Sequence, residues 1–128
     1  MEYIQQFNLL YLNDANYIIQ ATARIYHSTL GLENWRTYNT TAKSDSGLAI
    51  DPKGDVYYID TESHQIMKIA NGTMSEDGTT SKLGVKAAPG STLSMAYDAG
   101  TETLYLFYIA EDHSLSYIVG EGEKWGKG

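Results

Sequence analysis

Short runs of Tyr, Ile, Leu and Val alternate along this chain with polar clusters built from Asn, Asp, Gly and Pro. Asn13-Asp14-Ala15-Asn16, Asp51-Pro52-Lys53-Gly54-Asp55, Asn71-Gly72, Asp98-Ala99-Gly100-Thr101 and Glu111-Asp112-His113-Ser114 all read as turns. Their residue types accept left-handed backbone or hydrogen-bond it locally. The intervening runs are rich in β-branched and aromatic residues, which favours strands. Val56 to Ile59 with Gln65 to Ile69, and Leu104 to Ile109 with Leu115 to Val119, therefore predict two hairpins. Pro52 and Pro89, the only prolines, both fall in loops. The opening third fits two patterns. Tyr3, Ile4, Phe7, Leu10 and Tyr11 make a helical stripe, whereas Leu10 and Leu12, then Tyr17, Ile18 and Ile19 beyond an Asn-Asp turn, make a hairpin.

An internal repeat favours the hairpin. Leu10 to Asp14, Tyr57 to Thr61 and Phe107 to Glu111 line up, each followed by a second apolar run. Their anchor tyrosines, Tyr11, Tyr58 and Tyr108, recur at intervals of 47 and 50 residues. A period of about 40–50 residues with three or four strands per unit is the spacing of β-propeller blades. The expected fold is all-β: three four-stranded antiparallel blades, near residues 1–46, 47–90 and 91–128, forming half of a six-bladed ring. Inner strands are expected at Leu48 to Ile50 and Leu93 to Tyr97; in the first unit the inner strand is Glu2 to Gln6, or it is missing. Outer strands are expected near Trp35 to Tyr38, Leu83 to Lys86 and Trp125. Three blades do not close a ring, and unpaired edges invite association. The expectation is a homodimer closed by head-to-tail contacts.

Composition narrows the function. The chain has 128 residues, enough for one domain with a sizeable core. Nine basic against 16 acidic residues give a net charge of −7, which disfavours a nucleic-acid partner. Cysteine is absent, which removes disulfides, thiolate metal sites and a Cys nucleophile. The longest apolar run, Leu104 to Ala110, is too short to span a bilayer. The opening residues lack the basic start and small-residue cleavage site of a signal peptide, so none is read and the compartment stays open. No nucleophile-elbow, P-loop or zincin motif is present, so no enzymatic activity and no cofactor are expected. Asp51, Asp55, Asp60 and Glu62 crowd four carboxylates into one stretch. Strand alternation separates them and turn capping accounts for Asp51 and Asp60, so no metal site is expected. His64 and His113 occupy matching turns and read as turn residues. Eleven tyrosines and two tryptophans favour strands and surfaces that contact polar ligands.

Two resemblances appear. Gly47 to Ile69 resembles an NHL-type propeller blade through Gly47, Ala49, Asp51, Gly54, Tyr57, Asp60, Thr61, Ile66 and Lys68. Leu9 to Trp35 and Leu104 to Gly128 resemble blades of the fungal fucose-specific lectin family. That resemblance implies a six-bladed propeller with sugar sites in the clefts between blades, each using an Arg, a Glu and an outer-strand aromatic. The aromatic positions are met by Trp35 and Trp125; the Arg positions fall near Asp55 and Thr103, and the Glu positions near Gln20, Lys68 and Tyr117. Sugar binding here would thus need other polar partners. The ligand-binding candidates are Trp35 and Trp125 for stacking, with Arg36, Glu33 and Tyr38 beside them as donors and acceptors. The reading is non-catalytic glycan recognition. The alternatives are an NHL-type protein-interaction module or a truncated or engineered propeller fragment without a ligand.

Overall fold

The computed structural model describes residues 5–38, 42–70, 80–121 and 124–127. The Asn71-Gly72 turn expectation lies outside them. Eleven strands form three antiparallel sheets in chain order, with no helix among the described residues. The first sheet holds β1 (Gln5–Leu12), β2 (Ile18–Tyr26) and β3 (Thr29–Thr37). The second holds β4 (Ser44–Ile50), β5 (Val56–Asp60), β6 (Gln65–Ile69) and β7 (Thr80–Lys86). The third holds β8 (Leu93–Asp98), β9 (Thr103–Ile109), β10 (Leu115–Glu121) and β11 (Lys124–Lys127). Each sheet is a meander, and the three stand side by side as propeller blades do.

The turns follow from short polar side chains. Asn13 Oδ1 accepts from the amides of Ala15 and Tyr17, both at 3.0 Å, and Asn16 turns left-handed at φ 67°. Asp60 Oδ2 accepts from the amide of Ser63 at 2.8 Å, with His64 at φ 58°. In the third sheet Asp112 Oδ1 accepts from the amide of Ser114 at 3.0 Å, with His113 at φ 68°. The Ser114 hydroxyl and amide hold the Asp112 carboxyl below its ordinary range. The two histidines of matching turns thus share one left-handed backbone role. At the opposite end of the second sheet, Asp51 Oδ1 accepts from the amides of Lys53 and Asp55, and Gly54 takes φ 92°.

These hairpins show how the sheets correspond. β1–β2, β5–β6 and β9–β10 are the same repeated unit, which leaves β4 and β8 as inner strands. The first sheet therefore has three strands among the described residues, not the expected four. Residues 2–4 of the expected inner strand lie outside the described residues, and Gln5 and Gln6 belong to β1. No Gly or Pro interrupts Gln5 to Leu12, so that stretch runs on as one strand.

Alternation sends each strand's side chains into two seams. Val56, Tyr58 and Ile69 face the first sheet and pack with Ile18, Tyr38 and Ala42. Tyr57, Ile59 and Ile66 face the third sheet and pack with Leu104, Leu106, Tyr108 and Ile118. Burial of each large apolar side chain is worth about 1.5–3 kcal/mol. At the hub the backbones themselves meet. A Cβ on Gly47 would lie 2.5 Å from both Cβ and the backbone nitrogen of Leu93, so only glycine lets β4 and β8 come together. Gly47→Ala should destabilise the chain by about 1–3 kcal/mol in urea unfolding. Trimming Leu93 to Ala in the same chain should not restore it, because the Leu93 nitrogen is equally close.

Candidate functional site

The first candidate region is the β2–β3 hairpin. His27 and Ser28 both take positive φ, 48° and 67°, the two-residue turn that suits the twist of paired strands. Along β3 the register shifts: Thr22 faces Glu33 while Gln20 faces Arg36, leaving one extra residue on β3. Asn34 sits in this bulge at φ 55°. The bulge places Glu33 and Arg36, three residues apart, on the same face of the sheet. Trp35 goes to the other face, where it is 54% exposed and meets Tyr11 edge-on at 6.1 Å between ring centres.

Glu33 forms an ion pair with Arg24 across the hairpin, both side chains about half-exposed. The pair edges a cleft of about 570 Å³ whose other walls include Tyr26, His27 and Leu32. Tyr26 and His27 stand edge-on there at 4.3 Å. Tyr38 is buried in the seam instead, donating its hydroxyl to Gln20 Oε1. The Gln20 amide in turn donates to Asn8 Oδ1 at 3.1 Å. Burial pushes the Tyr38 hydroxyl above its ordinary pKa, and the nearby Arg36 opposes that in part. The backbone of Trp125, in β11, pairs with that of Gly120 in β10; its side chain lies outside the described residues. Of the five candidates, the structure therefore brings Glu33 and Arg36 to one face, separates Trp35 from them and places Tyr38 in the core.

A second cleft, of about 850 Å³, opens between the second and third sheets. Lys82 and Lys86 of β7 line one wall, and Tyr108, Asp112, Ser114 and Ser116 of the β9–β10 hairpin line the other. Gln65 also lines it, and its Oε1 is buried without a hydrogen-bond partner. Cationic donors, a carboxylate, hydroxyls and aromatic rings thus converge in one groove. Sequence reading missed this site, because its walls join residues far apart in the chain and only the packing of sheets brings them together.

At the other end of the same seam, a pocket of about 120 Å³ is lined by Asp51, Asp55, Tyr57, Lys68 and Glu102. Lys68 bridges to Asp55 at 3.3 Å with both side chains largely buried, and the Tyr57 hydroxyl donates to Asp51 Oδ2 at 2.9 Å. Burial, then the Asp51 hydrogen bond and the Asp51 and Asp55 charges, push the Tyr57 hydroxyl far above its ordinary pKa. Among the described residues no group of three or more His, Asp or Glu side chains is placed to hold a metal ion.

No protein-family model and no curated protein matches the sequence. Among solved structures, a triple arginine-to-alanine mutant of AofleA from Arthrobotrys oligospora aligns over 100% of this chain at 18% identity, with a TM-score of 0.54. The chain spans 44% of that protein's length. A fucose lectin from Kordia zhangzhouensis, in complex with methyl-fucoside, aligns over 95% of this chain and 97% of its own at 12% identity. Its TM-score of 0.42 is too low to carry weight. The AofleA match supports the fold: three antiparallel sheets set as propeller blades.

The two polar arrangements of the first sheet should differ sharply in stability. Tyr38→Phe leaves Gln20 Oε1 buried without its donor and should cost about 1–3 kcal/mol in denaturant unfolding. Arg24→Ala removes an exposed ion pair and should cost less than about 1 kcal/mol.

Proposed function

We propose that this chain is a non-catalytic carbohydrate-binding propeller segment, completed as a ring by a second copy. The observation that carries the sugar reading is the cleft between the second and third sheets. Sugar hydroxyls need donors and acceptors side by side, and their apolar faces need aromatic surface. Lys82, Lys86, Asp112 and Ser114 provide the former, and Tyr108 and Tyr117 line the same groove. The resemblance of two units to fungal fucose-specific lectin blades supports the same reading. Within it, Glu33 with Arg24 serves the hairpin cleft as acceptor and donor, with Arg36 further along that face. Trp35 and Trp125 serve as stacking surfaces, and Tyr38 supports Arg36 from beneath.

The second copy follows from the two free faces. Within the chain, each seam joins the face of one sheet to the opposite face of the next. Two such faces are left over. The first sheet presents Phe7, Leu9, Tyr11, Leu30 and Leu32 as exposed apolar side chains. The third presents Tyr117, packed on Tyr105 and Phe107, together with Leu115, which is 73% exposed. They are the two halves of the seam that recurs inside the chain, so a head-to-tail partner covers both.

Glycan-array binding followed by calorimetric titration tests the sugar reading. The expected result is saturable binding of at least one sugar, weakened about tenfold or more in Lys86→Ala. A folded protein that binds no glycan overturns it, and a stoichiometric protein partner indifferent to free monosaccharides would favour the NHL-type reading. Light scattering tests the assembly. The expected mass is twice 14.2 kDa, falling to the monomer in Leu115→Lys; a stable wild-type monomer at micromolar concentration rules the closure out.

A further inference from the structure

We propose that the hub-side edge of β1 is a strand-acceptor site that takes an extended peptide in the place that β4 and β8 fill in the other two sheets. The first sheet ends at β1, and among the described residues no strand pairs with that edge. The equivalent strands β5 and β9 are each covered there by an antiparallel inner strand. An exposed row of backbone donors and acceptors is a template for strand addition.

The two inner strands present define what fits. Leu48-Ala49-Ile50-Asp51 and Met95-Ala96-Tyr97-Asp98 share one pattern, with a large apolar residue on either side of Ala and Asp at the turn. In β8 the large residues Leu93, Met95 and Tyr97 pair with Tyr108, Leu106 and Leu104 on one face, while Ser94 and Ala96 occupy the other. The reason for the small residues is spatial. Consecutive inner strands meet so closely that Gly47 has no room for a Cβ against Leu93. A strand on β1 would stand against β4 as β4 stands against β8. It must therefore turn small residues toward β4 and large apolar ones toward the side where Phe7, Leu9 and Tyr11 are exposed. The occupant is thus an extended peptide alternating large apolar with Ala, Ser or Gly, antiparallel to β1. The site stands whether or not the clefts take sugar.

The test uses the intact chain and a synthetic peptide with the sequence of residues 91–98, Ser-Thr-Leu-Ser-Met-Ala-Tyr-Asp. Fluorescence anisotropy should show saturable binding, with a rise in Tm as peptide is added. Hydrogen exchange should slow at β1 amides. A peptide carrying Leu in place of the Ser94 and Ala96 equivalents should not bind, since its bulk would collide with β4. Absence of saturable binding overturns the proposal. So does binding that protects β9 or the outer face of the third sheet while leaving β1 unchanged, because the peptide would then be displacing β8 or coating an apolar face.

Discussion

Where β4 passes β8, at Gly47 and Leu93, the two strands come too close to leave room for a Cβ. Everything else is arranged around that contact. It draws the inner edges of two sheets together and lets their outer strands fan apart. The fanning leaves a dry, apolar seam near the hub and a wet groove farther out. Tyr57, Ile59 and Leu106 fill the first, and Lys86, Ser114 and Gln65 line the second. Core and candidate binding surface are thus two depths of one interface. Gly47 permits the hub contact from the inner strand and does not itself line the groove.

Much of this was legible in the residues. Asn13, Asp51 and Asp60 announce turns because a short side-chain oxygen can accept the backbone amides that a tight reversal frees. The repeat was visible because alternating seams demand an aromatic at the same phase of each unit, so that Tyr58 and Tyr108 are buried in successive seams. The NHL-like stretch was readable for the same reason: Asp51 and Gly54 shape the turn and Gly47 permits the hub contact. Other features were hidden. The residues left open whether the first unit has an inner strand, and that no described strand pairs with that edge of β1 needed coordinates. The cleft between the second and third sheets needed them too, since it joins Gln65 and Lys86 to Ser114 across the packing of two sheets.

The site candidates show the limit most plainly. Trp35, Arg36 and Glu33 are close in sequence and looked like one cluster, yet alternation sends Trp35 away from Arg36 and the bulge at Asn34 moves Glu33 to the Arg36 face. Trp35 consequently joins Tyr11, while Glu33 finds Arg24 on the adjacent strand. Tyr38 carries a polar tip that suggested a ligand, but its ring closes the first seam and the hydroxyl is spent on Gln20.

The bulge at Asn34 has a consequence for how such a surface can change. It acts as a phase shifter: residues before it and after it on β3 count alternation from different origins. Loss of that one residue would leave a single residue between Glu33 and Arg36, matching the single residue between Thr22 and Gln20, so the ladder would become regular and every side chain would keep its face. A one-residue change at this point is therefore absorbed where it occurs, which lets the edge of the blade vary in length while the seams behind it keep their packing.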